Sequence, residues 1–295
     1  MEISDKRLLI TGSAGLLGGR LVPLAAMESN VFAVFHKEEP EYDNYANMQL
    51  VECDLTDKEW VRDTVEYSKP QVIINCAAMT DVDGCESDRT LARKLNAGIV
   101  ENLLESVAED KFFVQISTDY LFDGKSGPYP ETSAPNPINV YGLTKLEGEA
   151  LVRARGGNSL IVRTSALYDS ISRGHANLFD GLYMGLINGE TVKAAEDLFC
   201  NPISVSTLSE AILEAVSQGI TGVLNIAGSV YMSRFEFAQV VAEHFGFSTN
   251  LIESVPMESL GRAAKRPSKA GVDVSKALGL LRTRLLSPSE TFSLW

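Results

Sequence analysis

Along the first half of the chain, short and uniformly apolar runs alternate with longer stretches in which apolar residues recur every three or four positions. The runs at 7–11, 31–35, 48–52, 71–75, 111–116 and 160–163 are rich in Val, Ile, Leu and Phe, the pattern of strands buried on both faces. The stretches 16–28, 58–68, 90–108 and 143–155 have helical spacing. Strands alternating with helices imply right-handed crossovers and a parallel sheet covered on both sides. Such an α/β, doubly wound sheet binds its ligand outside the carboxyl ends of the strands. After about residue 168 the alternation weakens. Helices are predicted at 177–188 and 207–218 and a strand at 223–227, and Ser233-Arg234-Phe235-Glu236 fits a capping box opening a helix that runs to Phe245. Residues 1–168 and 191–229 are expected to form the sheet domain, and residues 169–190 and 230–295 a smaller C-terminal lobe. The loop 123–139, with Pro128, Pro130, Pro135 and Pro137, is too long for a simple connector and is expected to be functional.

Composition narrows the function. The 295 residues carry a net charge of −13, which excludes a nucleic-acid binder or a polybasic membrane-surface protein, since both need surplus cations. No apolar run approaches the roughly 18 residues of a membrane helix. Lys6 and Arg7 ahead of Leu8-Leu9-Ile10 only loosely resemble a signal peptide, because glycines 12, 15, 18 and 19 and Arg20 break the apolar region. Cys53, Cys76, Cys85 and Cys200 are scattered, without metal-site or disulfide spacing. A reducing, cytoplasmic setting is expected. His36, His175 and His244 are too few and too far apart for a metal site, and none is expected. His244 reads as a helix C-cap, and Asp81 and Asp83 as turn or capping acids.

Directly after the first predicted strand comes Thr11-Gly12-Ser13-Ala14-Gly15-Leu16-Leu17-Gly18, a glycine loop opening a helix. A strand before and a helix after are the context in which such a loop cradles a pyrophosphate: Gly12, Gly15 and Gly18 permit the tight turn and close backbone approach, and the loop around Leu16 and Leu17 offers the helix's first amides. The second strand ends in Val34-Phe35-His36-Lys37, with Glu38 and Glu39 only afterwards. An NAD site usually has an acid at that point and an NADP site a cation. NADPH is therefore expected, with NADH possible, Lys37 as the first partner of the 2′-phosphate and His36 the second. The alternative, that both are solvated loop residues, stays open. Asp54, followed by Leu55, is in position to accept from the adenine or to cap the next turn.

Tyr141 and Lys145 are four apart at the start of a predicted helix and share a face. Thr118 follows the strand 111–116, at the edge where a parallel sheet binds ligands. A Thr hydroxyl, a Tyr hydroxyl and a Lys ammonium around a nicotinamide make a carbonyl reductase site. The ammonium is expected to lower the tyrosine pKa from about 10 toward neutrality, so that Tyr141 protonates the carbonyl oxygen while Thr118 orients it.

The run Ser117-Thr118-Asp119-Tyr120-Leu121-Phe122-Asp123-Gly124, then Pro128-Tyr129 with Glu131, and Tyr141-Gly142-Leu143-Thr144-Lys145-Leu146-Glu147-Gly148-Glu149 resemble the extended short-chain dehydrogenase/reductases, in particular the dTDP-4-dehydrorhamnose reductase branch. Asn75-Cys76-Ala77-Ala78 with Thr80, Val82, Asp83 and Glu86, then Asn96, Arg163-Thr164-Ser165 and Arg266-Pro267-Ser268, are similar to it as well. The resemblance runs from residue 7 to about 280. It implies a Rossmann domain with a sugar-nucleotide lobe, and reduction of a 4-keto-deoxysugar by NAD(P)H. Thr118, Tyr141 and Lys145 would be the catalytic set. Ala77, Ala78 and Ser165 would line the cofactor, and Thr80, Val82, Asp119, Tyr120 and Arg266 the substrate. The partners expected are a nucleotide sugar and, in a homodimer, a second copy.

Departures fall on the substrate side. Met79 replaces a common aromatic, Ala166 a common Trp, and Asp197-Leu198-Phe199-Cys200-Asn201-Pro202-Ile203 keeps only part of the branch's polar segment. The regulatory beta subunit of methionine adenosyltransferase resembles the same branch, so a nucleotide-binding subunit of another enzyme is the second reading. A related epimerase or dehydratase is the third, with Asp119 formally beside Thr118, although the branch carries that Asp without such use. The segment 262–284 holds seven basic residues against the single acid Asp273, and Arg266 within it is the expected holder of a diphosphate.

Overall fold

The computed structural model describes residues 3–43, 45–170 and 177–295. The chain starts with β1 (Arg7–Thr11), α1 (Gly18–Ala26), β2 (Asn30–Phe35), β3 (Met48–Glu52), α2 (Lys58–Ser68) and β4 (Val72–Asn75). Then come α3 (Val82–Ser87), α4 (Arg89–Arg93), a π-helical turn Lys94–Gly98, α5 (Ile99–Ser106), β5 (Phe112–Thr118), α6 (Val140–Arg155) and β6 (Ser159–Thr164). The remainder is β7 (Leu167–Tyr168), α7 (Asp180–Ile187), β8 (Val192–Ala195), β9 (Phe199–Cys200), β10 (Ile203–Ser204), α8 (Val205–Ser217) and β11 (Gly222–Asn225). It closes with β12 (Met232–Ser233), α9 (Arg234–Phe245), β13 (Ile252–Val255), α10 (Ser275–Leu280) and α11 (Pro288–Phe292).

Seven strands form one sheet in the order β11-β6-β5-β4-β1-β2-β3, every neighbouring pair parallel. This is the doubly wound sheet expected. Alternation along each strand feeds two cores: Leu8 and Ile10 pack with α1 and α8 residues such as Leu21 and Ile212, while Leu9 and Ile73 pack with Val61 of α2 and Leu103 of α5. Strand order reverses between β1 and β4, where Thr11 stands opposite Asn75. Ligands bind at such a reversal.

A third core, rich in aromatics, joins Tyr168, Phe179, Phe237 and Phe292. Around it lie three two-stranded sheets, β7 with β10 and β8 with β13 parallel, β9 with β12 antiparallel. The segment 191–229, assigned to the sheet domain from the sequence, is divided. Its β8 pairs with β13 and Ala194 joins the aromatic core, whereas α8 and β11 join the large sheet. Conversely, Val272, Val274 and Ala277 from the C-terminal segment return to the large sheet's core.

Local differences from the sequence reading have local causes. The first helix begins at Gly18 rather than Leu16, because the glycine loop occupies the intervening turn. The stretch 90–108 winds as α4, the π-turn and α5. The π-turn holds Asn96 with its side chain on both backbone groups of Met79, 2.8 and 3.2 Å away. α6 begins at Val140 because the Asn139 side chain accepts the Gly142 amide at 2.8 Å. The capping box at Ser233 and Glu236 is formed as read. The cap at the other end of α9 is the left-handed Gly246. His244 instead packs edge-on against Phe245 and at a tilt against Phe292. The loop 123–139 is stitched to the C-terminal segment, with the amides of Gly127 and Tyr129 donating to the carbonyls of Lys269 and Gly271. No described helix is long and apolar enough to cross a membrane.

Candidate active site

A cavity of about 1260 Å³ runs from the glycine loop, past the ends of β4 and β5, to α7, β8 and α9. At its first end lie Gly12, Gly15, Leu16, Leu17 and Gly18. Gly12 has φ +65°, and a Cβ there would stand 2.8 Å from the Ala77 amide nitrogen. A Cβ on Gly18 would run into the Gly12 carbonyl. Only glycine fits either point. No side chain caps α1, and the Leu16 and Leu17 amides have no acceptor among the described residues. Free amides at a helix start suit a phosphate. Ser13 braces the loop, its hydroxyl donating to the Val34 carbonyl at 2.9 Å.

His36, Asp54 and Leu55 line the same end. Asp54 Oδ1 accepts from the amide and hydroxyl of Thr56 at 2.9 and 2.7 Å, so it does cap the following turn. Its other oxygen is 3.9 Å from His36 Nε2. Lys37 does not belong to the lining. It takes a left-handed conformation, φ +44°, immediately after β2, and its side chain is exposed to solvent. Of the two, His36 lines the cavity and Lys37 does not.

In the middle, Thr118 ends β5, and Tyr141 and Lys145 occupy the first turns of α6. All three line the cavity with Ala77, Ala78, Thr80, Val82 and Tyr120. The Thr118 hydroxyl accepts the Tyr120 amide at 3.1 Å. Tyr120 packs edge-on against Tyr141 with ring centroids 5.9 Å apart. Burial pushes the Tyr141 hydroxyl above its ordinary pKa, with Thr118 opposing and Asp119 and Tyr120 reinforcing. The net direction is opposite to the lowering expected from Lys145, whose ammonium donates to the Ile116 carbonyl at 2.7 Å. Tyr141 therefore carries its proton at neutral pH, the state a proton donor requires, as an ordinary tyrosine also would. Burial lowers Lys145 to about 8, with Glu149 and then Cys76 acting against it.

Two residues expected at the substrate or cofactor are also bonded within the protein. Asp119 and Ser165 both face the cavity. Asp119 Oδ2, however, accepts from the Ser165 hydroxyl at 2.6 Å and the Gly271 amide at 3.1 Å, and Ser165 Oγ accepts the Asn201 amide at 3.2 Å. They form a latch between β5, the turn after β6 and the C-terminal segment. Asp119 is buried, and burial pushes its carboxyl up despite those bonds. Arg266 lies outside the lining. Its guanidinium makes a two-pronged pair with Asp83, at 3.1 and 3.0 Å, which also corrects the reading of Asp83 as a turn acid. Of the basic segment 262–284 only Arg262 reaches the cavity. The cation missed from the sequence is Arg234, the first residue of α9, which lines the cavity beside Leu198 and Phe237 and makes no ion pair among the described residues. Its signal was the capping box itself, which marks a helix start but does not say which wall that start faces. All four cysteines are free. No described group of three or more His, Cys, Asp or Glu is arranged to hold a metal, and His175 lies outside the described residues.

Residues 6–287 match the family described as RmlD substrate binding domain. The chain belongs to this family. Among its relatives is the probable low-salt glycan biosynthesis reductase Agl14 of Haloferax volcanii, 35% identical over 92% of this chain and 91% of that one. Methionine adenosyltransferase 2 subunit beta of Rattus norvegicus is 29% identical over 94% of this chain and 83% of its own. Two solved structures share the whole RmlD-type architecture. The dTDP-4-dehydrorhamnose reductase of Bacillus anthracis in complex with NADP has a TM-score of 0.84 at 28% identity, covering 98% of both chains. A hypothetical dTDP-4-dehydrorhamnose reductase of Sulfolobus tokodaii has 0.84 at 36% identity, over 97% of this chain and 98% of the other. Such neighbours support binding of a nicotinamide cofactor, as expected of an extended short-chain dehydrogenase/reductase.

Proposed function

We propose that this protein is an NAD(P)H-dependent oxidoreductase that reduces a nucleotide-linked 4-keto-6-deoxysugar. The observation that carries the reading is the continuity of one cavity from the phosphate loop, through Thr118, Tyr141 and Lys145, to a cationic outer end with Lys193, Arg234 and Arg262. Cytoplasmic residence and dTDP as the nucleotide belong to the same proposal, as does the lobe 169–190 with 230–295 as holder of the sugar nucleotide.

The amides of Leu16 and Leu17 would hold the dinucleotide's pyrophosphate, with His36 and Asp54 at its adenosine end. The bound dinucleotide supplies the hydride. Thr118 donates a hydrogen bond to the substrate carbonyl and fixes its direction. Tyr141, kept protonated by burial, delivers a proton to that oxygen as charge develops on it. Lys145 stabilises the phenolate left behind. Arg234 and Arg262 would take the diphosphate in the role first expected of Arg266. Ala166 leaves that pocket without the flat aromatic wall common in the branch. NADPH oxidation by the purified protein with a panel of nucleotide-linked 4-keto-6-deoxysugars tests this reading.

The 29% identity to the rat methionine adenosyltransferase 2 subunit beta over 94% of the chain favours a second reading, a dinucleotide-binding subunit of another enzyme. Binding of NADPH without turnover of any keto sugar, together with capture of a stoichiometric enzyme partner, would make it the better one.

A further inference from the structure

Lys145 has a buried acidic neighbour that no step above uses. Glu149 is one helical turn further along α6, on the same face, and is 0% exposed. Its carboxylate is gripped by Arg163 of β6, itself 1% exposed, through two bonds of 2.9 and 2.8 Å, and by Arg153 at 3.2 Å. A buried ion pair is weak evidence for stability, because apolar residues of equal volume often serve as well. The location of this one calls for another role. We propose that Glu149 is a positioning residue for Lys145, its buried carboxylate holding that side chain in the ammonium form.

Two independent features converge on the same nitrogen. A buried chain of polar side chains fixes the acceptor: Thr11 Oγ1 donates to Asn75 Oδ1 at 2.6 Å, Asn75 Nδ2 to Gln115 Oε1 at 2.8 Å, and Gln115 Nε2 to the Ile116 carbonyl at 2.9 Å. That carbonyl also receives Lys145 Nζ, so β1, β4 and β5 together set where the nitrogen sits. They supply no charge. Burial acts to discharge Lys145, and Glu149 is the foremost group acting the other way.

The other ionisable groups around α6 do not share this task. Cys76, after β4, acts on Lys145 more weakly than Glu149, and burial keeps its thiol neutral at about 12. Tyr141 is held protonated by burial. Asp119 is bound to Ser165 and Gly271. On α3, Glu86 accepts the Val140 amide, and on α4, Arg93 pairs with Glu147 of α6. The importance of a charged Lys145 rests on the reductase reading; the link between the two residues does not.

The test follows the Lys145 amine directly, without turnover. Full-length protein carrying 13C-labelled lysine is titrated by NMR, the Lys145 resonance being assigned from Lys145→Arg. Wild type is expected to titrate near the value of about 8. Glu149→Gln should move the midpoint down by about one pH unit, the size of a close charge effect. A loss of packing alone would lower thermal stability without that move. Should the stranded Arg163 prevent folding, Glu149→Gln/Arg163→Gln removes both charges, and a smaller downward move is expected, because loss of the Arg163 cation offsets part of the loss of the carboxylate. An unchanged midpoint in a folded variant overturns the proposal, as would failure of both variants to fold, which would make the carboxylate structural. If the midpoint moves but no keto sugar is reduced, the proposal stands and the reductase reading falls.

Discussion

Tyr141 and Lys145 show how a residue pair legible by spacing acquires its chemistry only from its surroundings. The i, i+4 relation put both on one helix face, but burial, invisible in the sequence, reverses the anticipated effect and keeps the tyrosine protonated. Replacement of Tyr141 by Phe is expected to reduce turnover at least a hundredfold, the scale of a lost general acid, while NADPH affinity measured by fluorescence stays within about threefold of wild type. The cofactor end follows the same logic. His36 faces the cavity and Lys37 does not, so His36→Glu should weaken NADPH relative to NADH by at least tenfold through repulsion of the 2′-phosphate. Lys37→Glu should leave the ratio nearly unchanged, and parallel titrations of both variants check this. Residue type alone ranked Lys37 first. The left-handed conformation of Lys37 has no signature in Val34-Phe35-His36-Lys37.

Among elements, the strands and the sheet they make were readable because both faces are buried and the runs are continuously apolar. Helix starts were less so, since they depend on side-chain caps such as Asn139 and on the glycine loop. α3 was missed because its six residues are too few to show a period. With it went the Asp83 and Arg266 pair, which ties α3 to the C-terminal segment across 183 positions; no local pattern encodes such a contact. Arg266 is buried and Asp83 partly exposed. Asp83→Asn is therefore expected to cost about 1–2 kcal/mol in urea unfolding at pH 7, less than a fully buried pair. Arg266 and the Ala264 amide hold the Asp83 carboxyl below its ordinary value. The pair's contribution is then complete above the unfolded carboxyl's pKa of about 3.9 and is lost as pH falls through the lower folded value. Wild type and variant should converge in stability in acid, and a gap that persists below that value would place the effect elsewhere.

At the scale of the whole molecule, the net charge of −13 excluded polyanionic partners without locating the binding of an anionic cofactor and substrate. The fold brings Leu16, Leu17, Arg234 and Arg262 to one cavity and ties up other cations of the basic segment, Arg266 on Asp83, Lys276 on the Val223 carbonyl and Arg284 on Glu290. The large sheet was legible because family motifs run through it. The outer wall of the cavity was not, because it is assembled from α7, β8 and α9, elements far apart along the chain. The direct measurement of the central claim is NADPH consumption by purified protein presented with nucleotide-linked 4-keto-6-deoxysugars, with Tyr141→Phe as control. The account predicts turnover by wild type with at least one of them and none detectable by the variant. NADPH binding with no turnover of any, or equal rates in the two proteins, would contradict it.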